Sequence, residues 1–441
     1  MQESTFKRTT RDERQEKCRV KWVKNKCKGT IVASTGFGKT RVGLNCIKTV
    51  LKKYPNMKVI VIVPTTALKE QWLGLLDLNG LSLNCEVLVI NTAIKGLYKC
   101  DIMVIDEIHR VAADTLKHVF ETVNYKYILG LTATFERLDG KHELLKKYCP
   151  VIDEITLAES KFQGWISDYK EYQVILDVDD IATYKEMNRE FTEHFEFFNF
   201  DWEKVMNCLG PRGFIYRSQL RDEMCPNGTE EQREQVFKQI TYHATQFMRI
   251  IQSRKAFINN HPKKIEVARR IIQARPNSKI ITFSNNVKMA ESIGMGGKVF
   301  SGKDSKKKGR MTIEEFSTEK TGILHTIKKA DEGLDVPGLS VAIILGLDSS
   351  KIRKTQRIGR VARKEGDKKA EIFTLVLDQT VETEWLFYKD FIEYTAVPIE
   401  KSSELSLGNI GETPEMDNTE INSKTKEFES SYSVEVETSI V

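Results

Sequence analysis

Between Gly29 and Pro150 this chain alternates two kinds of segment, and the alternation leaves few folds open to it. TIVAS (30–34), KVIVIVP (58–64), CEVLVIN (85–91), DIMVID (101–106) and YILGLT (127–132) are short runs too apolar to keep one face in water. Between them, KTRVGLNCIKTVLKK (39–53) and TALKEQWLGLLDL (66–78) carry apolar residues at helical spacing. Strands without a wet face, separated by helices, predict a parallel sheet covered on both sides. In such sheets ligands gather at the carboxyl ends of the strands.

A second round starts near Pro276. KIITFS (279–284), GILHTI (322–327), VAIILG (341–346) and EIFTLVL (371–377) read as strands, and VKMAESIG (287–294) as a helix. Residues 181–260 differ: they are aromatic-rich and mostly helical in pattern, as in EEQREQVFKQITYHATQFMRIIQ (230–252). The expected fold class is α/β, with a first lobe over 1–155 and a second over 156–400. The second carries a helical insertion near its start, about 181–260. Within it, FTEHFEFFNFDW (191–202) holds six aromatics in twelve residues, and the favoured reading is a local hydrophobic core.

Residues 401–441 are rich in Ser, Thr, Glu and Asn without a clear period and read as a disordered acidic tail. The tail holds nine acidic residues against three lysines, a local charge of −6, which leaves +12 on residues 1–400 of a chain whose net charge is +6. A basic body suits a polyanionic partner. The tail is read as a solubilising end, with docking of a protein partner as the alternative.

Composition narrows the class further. Hydrophobic residues at 40% and charged residues at 29% are ordinary for a globular protein. No apolar run has the length of a membrane span, and MQESTFKRTTRDERQ lacks a signal-peptide core. The expected location is the cytoplasm, that of the host if a phage encodes the chain. None of the eight cysteines forms a C-x-x-C pair, so a reduced compartment fits better than a zinc site or disulfide framework.

ASTGFGKT (33–40) lies directly after a strand and directly before a helix. That is the setting of a phosphate cradle. Gly36 and Gly38 let the backbone of Ser34, Thr35 and Phe37 turn its N–H groups toward phosphate oxygens. The helix starting near Lys39 adds the positive end of its dipole. Lys39 can reach the β- and γ-phosphates, and the Thr40 hydroxyl can ligate Mg²⁺. Ala33 replaces the first glycine of the usual G-x-x-x-x-G-K-[ST] pattern. Further on, IMVIDEIH (102–109) runs four apolar residues into two carboxylates, and charge at the end of a buried strand is costly unless compensated. In such a fold a neighbouring strand ends beside the phosphate loop. Asp106 there would hold Mg²⁺, and Glu107 would deprotonate the attacking water.

ASTGFGKT, DEIH, LTAT and QRIGRVAR, in this order over about residues 11–378, resemble the superfamily-2 helicases and translocases of DExH type. VPTTALKEQW (63–72) and LGLTATFERLDG (129–140) look most like the DNA-directed UvsW-type and XPB-type proteins and restriction-enzyme translocase subunits. The resemblance implies two RecA-like lobes, with ATP and Mg²⁺ as nucleotide and metal. It makes Gln15 a candidate adenine contact. It assigns Thr132, Ala133 and Thr134, with His109, to coupling between ATP state and lobe movement. In QRIGRVAR (356–363), Arg360 and Arg363 lie three apart, on one helical face. Their forks suit a developing phosphoryl charge, while Gln356, Gly333 and Asp335 would contact nucleotide or position them.

The same resemblance assigns nucleic-acid contacts to Pro64, Thr65, Thr66, Asn91 and Thr92 on lobe 1, and to Thr282, Ser284, Asn285, Asn286 and Thr326 on lobe 2. Hydroxyls and amides hold phosphates without reading sequence, so little sequence specificity is expected. SGKDSKKKGR (301–310) reads as a basic loop, either solvated or touching phosphate. The implied activity is an ATP-dependent DNA helicase or translocase, unwinding duplex or migrating branches in replication, recombination or repair. An RNA helicase, or a nucleic-acid remodelling subunit switched by ATP, is the alternative. The expected partner is single-stranded or branched nucleic acid, DNA over RNA, and no membrane.

Overall fold

The strand β2 (Val59–Val63, VIVIV) has no exposed residue, and its alternate side chains divide cleanly. Val59, Val61 and Val63 enter one apolar cluster, Ile60 and Ile62 another. A strand buried on both faces must be covered on both sides. The computed structural model describes residues 8–109, 118–133, 142–301, 304–327, 336–346, 357–359, 361–363, 369–383 and 396–398. It shows how the cover is made. With β1 (Lys28–Ala33), β3 (Cys85–Val89), β5 (Ile102–Asp106), β7 (Tyr127–Thr132) and β8 (Val151–Ile155), β2 forms a six-stranded sheet in the order β3-β2-β5-β7-β1-β8. Every pair in it is parallel. A two-stranded ribbon of β4 (Tyr98–Lys99) and β6 (Val123–Asn124) stands beside it. Helices Arg11–Lys24, Lys39–Lys53 and Thr66–Leu78 cover one face through residues such as Trp22, Ile47 and Trp72.

The second sheet has seven strands: β9 (Tyr169–Leu176), β10 (Lys279–Ser284), β11 (Lys298–Phe300), β12 (Gly322–Ile327), β13 (Val341–Ile344), β14 (Ala370–Leu377) and β15 (Ala396–Pro398). Their order is β11-β12-β10-β13-β14-β9-β15, again with parallel pairs. The molecule is thus two parallel-sheet α/β lobes in tandem. β9 lies before the insertion yet pairs with β14 over eight residues, so the insertion interrupts the second sheet rather than preceding it.

The insertion comprises helices Ile181–Glu196, Trp202–Leu209, Gly213–Met224 and Glu230–Asn260. It has its own apolar centre of Phe195, Phe198, Val205, Cys208, Leu220, Ile240, Ala244, Phe247 and Ile251. Phe191, Phe197 and Trp202 pack against that centre, so five of the six aromatics in 191–202 go to core packing, while Phe200 is exposed. The expected basic loop at 301–310 departs from expectation: Ser305 caps a helix that starts at Lys306 and continues to Thr318. Among the described residues no helix is long and apolar enough to cross a membrane. The acidic tail lies outside the described residues.

Candidate nucleotide and nucleic-acid site

The phosphate-loop sequence lies between the end of β1 and helix Lys39–Lys53, with Gly38 as the residue capping that helix. Gly36 and Gly38 have φ of 92° and 96°, a region closed to most side chains. Both are also crowded. A Cβ on Gly38 would meet Gln15 Nε2 at 2.7 Å, and one on Gly36 would meet Ile166 Cγ2 at 3.0 Å. Gln15 is buried and donates from Nε2 to the Phe37 carbonyl at 2.8 Å, so it holds the loop directly. Its helix is anchored next door, where Arg14 forms ion pairs with Asp153 at 2.6 Å and Glu159 at 2.8 Å. The Ser34 and Ser160 hydroxyls share a hydrogen bond of 2.7 Å.

Asp106 closes β5, nearly sealed from solvent. The strand that carries it is not the neighbour of β1, because β7 lies between them. Trp72 Nε1 donates to Asp106 Oδ2 at 2.9 Å, a bond to a charged group and thus a strong one. Burial, and next the Glu107 carboxylate, push Asp106 up to about 6 despite the Trp72 bond and the charge of Lys39. Glu107 has φ of 51°, rare for a residue with a side chain, and such geometry costs on the order of 1–3 kcal/mol. Its Oε1 stands 4.0 Å from Lys39 Nζ and its Oε2 3.4 Å from His109 Nδ1. His109 Nδ1 also shares a 2.9 Å hydrogen bond with Thr132 Oγ1, at the end of β7. β7 thus ends between β1 and β5, and His109 links the Glu107 carboxylate to Thr132 at the end of that strand.

Buried acceptors gather around this loop. Gln15 Oε1, Thr35 Oγ1 and Glu107 Oε2 have no hydrogen-bond partner among the described residues. Buried polar atoms are usually satisfied, so three orphans around one glycine-rich turn point to a bound polar ligand. The second lobe reaches the same place. Gly359, in a helical segment, packs so closely on the loop that a Cβ there would lie 2.1 Å from Thr35 Cβ. Arg363 lies one turn further on, and its carbonyl accepts from Ser167 Oγ at 2.7 Å.

The chain resembles known proteins in sequence and in fold. Residues 1–97 and 91–137 match the family model described as type III restriction enzyme, res subunit, and residues 263–365 match helicase conserved C-terminal domain. A "DNA 3'-5' translocase XPB2" of Sulfurisphaera tokodaii is 26% identical over 379 residues, covering 82% of this chain and 80% of its own length. A "Putative helicase 22" of Sulfolobus islandicus filamentous virus is also 26% identical over 379 residues, covering 77% of this chain but 59% of its own length. In fold, S. cerevisiae Dbp5 bound to RNA and ADP BeF3 superposes with a TM-score of 0.54 at 15% identity, over 87% of this chain and 89% of that one. The chain belongs to the superfamily-2 helicases and translocases.

For a helicase-family protein, the residues assigned to nucleic acid separate into two groups. On lobe 1, Pro64–Thr66 follow β2 and Asn91–Thr92 follow the adjacent β3, with Thr66, Asn91 and Thr92 exposed. On lobe 2 the structure corrects three assignments. Thr282, Ser284 and Thr326 are buried, with their hydroxyls used internally. Thr282 Oγ1 pairs with His325 Nδ1 at 2.8 Å, Thr326 Oγ1 donates to the Thr282 carbonyl at 2.8 Å, and Ser284 Oγ to the Thr326 carbonyl at 3.2 Å. They stitch β10 to β12 rather than face a phosphate. Asn285 and Asn286 are partly exposed but engaged: their side-chain amides donate to Asn259 at 2.6 Å and Asn260 at 2.9 Å, at the end of the long insertion helix.

Thr134, Gly333, Asp335, Gln356 and Arg360 lie outside the described residues. Three contacts around the site were not foreseen from sequence: Trp72 on Asp106, Ser160 on Ser34, and Trp165, whose ring lies 5.3 Å from that of Phe37. Trp72 carried a partial signal, since with Leu68 and Leu76 it marks the buried stripe of its helix.

Proposed function

We propose that this chain couples ATP hydrolysis to 3′→5′ movement along DNA, as a helicase or branch-migrating translocase in replication, recombination or repair. One observation carries the reading: Gly359 packs on Thr35, so the helix that leads to Arg360 and Arg363 meets the phosphate loop of the other lobe. A triphosphate in that loop would be contacted from both halves. The Sulfurisphaera relative is a DNA 3'-5' translocase by name, which supports DNA and the polarity.

The residues present suit a nucleotide with a hard cation. The loop has a glycine-built cradle, a lysine, and buried acceptors without partners. Thr40 and Asp106 would hold Mg²⁺, which when bound supplies positive charge at the phosphoryl oxygens. Lys39 would bind the β- and γ-phosphates, and Gln15 would offer its orphan Oε1 to the adenine amino group. Glu107 would take a proton from the attacking water, a role that requires its carboxylate to stay within hydrogen-bond reach of the nucleophile. His109, touching Glu107 and Thr132, would pass changes at the acid to the strand end that carries Thr132, Ala133 and Thr134. Arg360 and Arg363 would meet the charge that develops on the transferred group, an effect worth about 10³–10⁵ in rate when delivered from another lobe.

Motion follows from the divided site. A ligand shifts two states only by binding them unequally. ATP touched by both lobes favours the closed cleft, and phosphate release removes that preference. Exposed Thr66, Asn91 and Thr92 on lobe 1 and the Asn285–Asn286 turn on lobe 2 would grip a backbone alternately. The test is ATPase measured in parallel with single-stranded DNA, branched DNA and RNA, together with single-molecule tracking. DNA-stimulated turnover with directional movement is the expected result. Stimulation by RNA alone would move the chain to the RNA helicases, and stimulation without movement would leave an ATP-switched clamp.

A further inference from the structure

The segment joining the two sheets, residues 156–168, does more than connect them. Thr156 caps the short helix Leu157–Phe162, and Ser160 from that helix shares its hydrogen bond with Ser34 in the phosphate loop. Trp165 lies against Phe37, and Ile166 fills the space that a side chain on Gly36 would need. One residue later the segment turns to the other lobe. Ser167 donates its N–H to the Ala362 carbonyl at 2.8 Å and its hydroxyl to the Arg363 carbonyl at 2.7 Å. Asp168 then accepts from Ala370 N at 2.9 Å, and β9 begins.

The last carbonyls of a helix have no partner within it. Here two consecutive carbonyls, those of Ala362 and Arg363 just past the helical residues 357–359 and 361, are satisfied by a single residue of the connector. Ser167 is itself buried, so water is a poor substitute for either bond. Three consecutive connector residues thus touch both halves of the candidate ATP site: Trp165 and Ile166 hold the phosphate loop, and Ser167 holds the backbone of the arginine segment.

We infer that Ser167 is a positioning residue for Arg363, and that the connector fixes the arginine relative to the phosphate loop during hydrolysis. This rests on the ATPase reading given above. The N–H bond ties the segment down, and the hydroxyl bond sets the rotation of the peptide that follows Arg363. Losing the hydroxyl leaves the helix and both sheets in place but lets the arginine backbone drift, which affects turnover more than ATP binding.

The experiment is a double-mutant cycle on the full chain, with DNA-stimulated kcat and the KM for ATP measured for wild type, Ser167→Ala, Arg363→Ala and the double variant. A conservative Ser167→Thr and thermal unfolding curves accompany them. The expected result is a fall in kcat of about three- to tenfold in Ser167→Ala, the effect of one hydrogen bond. KM should stay within about twofold. The loss should vanish in the Arg363→Ala background, because the two residues act as a unit, and threonine should restore most of it. Unchanged kcat in Ser167→Ala, or a loss that persists without Arg363, overturns the inference. If Arg363→Ala is itself harmless, the ATPase reading of that arginine fails first and the positioning role with it. If Arg363→Ala is crippling and Ser167→Ala is silent, only the positioning role fails.

Discussion

Replacing Gly359 by alanine adds one methyl group where the two lobes meet. The new Cβ would lie 2.1 Å from Thr35 Cβ and 2.7 Å from both Cγ2 and Oγ1 of the same residue. Ordinary contact begins at 3.4 Å, so rotation of the Thr35 side chain cannot relieve the overlap, because its Cβ is part of it. The surfaces must separate by roughly 1 Å, and a misplacement of that size at a reacting centre costs on the order of 10²-fold, about 2.7 kcal/mol of barrier. Folding of the second lobe should not suffer. Gly359 is helical, and alanine favours a helix over glycine by about 1 kcal/mol. The assay is DNA-stimulated phosphate release at saturating ATP, beside thermal unfolding. The expected variant has an unchanged or higher melting midpoint and turnover lowered about a hundredfold. Turnover within about threefold of wild type would refute the argument that lobe contact at this glycine creates the active geometry.

Other residues make separate tests. Glu107→Gln should retain ATP binding while hydrolysis falls by about 10²–10⁴, and near-normal turnover in that variant removes the general-base assignment. Trp72→Phe deletes the 2.9 Å bond to Asp106, a bond to a charged group worth about 1.5–3 kcal/mol. The Mg²⁺ midpoint of the ATPase should then rise about tenfold or more, and an unmoved midpoint contradicts a metal-holding Asp106. His325 is fully buried, and burial holds its imidazole below the usual range despite the bond to the Gly294 carbonyl. An unfolded histidine takes up its proton as pH falls through about 6.5 while the folded one resists, so stability should drop below that pH and be unaffected above it. Urea midpoints at pH 8 and pH 5.5 should show a smaller acid loss in His325→Gln than in wild type; an equal loss assigns the effect elsewhere.

Periodicity made the strands and helices legible because burial enforces it. The helix at 39–53 and the strands at 127–132, 279–284 and 322–327 have the bounds that their patterns suggest. β9 was missed because YKEYQVIL mixes charges with apolar residues: its Tyr172 stacks on Phe373 of the neighbouring β14, and its single glutamate, Glu171, is partly buried. The placement of β7 between β1 and β5 could not be read either, since strand order is set by long-range packing and not by local pattern. At the site, residues that must meet phosphate are spelled out by short motifs. Their supports are not. Trp72, Ser160 and Ser167 act through contacts between segments distant in sequence: the helical stripe marks Trp72 as buried, but no local spacing tells what any of the three touches. The same limit explains Thr282, Ser284 and Thr326, whose hydroxyls resemble phosphate contacts in sequence but are spent on inter-strand bonds.

The most direct measurement is a crystal structure of the full chain with a non-hydrolysable ATP analogue, Mg²⁺ and single-stranded DNA. A divided site predicts Lys39 on the β- and γ-phosphates, Glu107 facing the γ-phosphate, and the guanidinium of Arg360 or Arg363 reaching the same phosphate from the second lobe. Nucleotide bound in the phosphate loop with both arginines turned away from the cleft would contradict it.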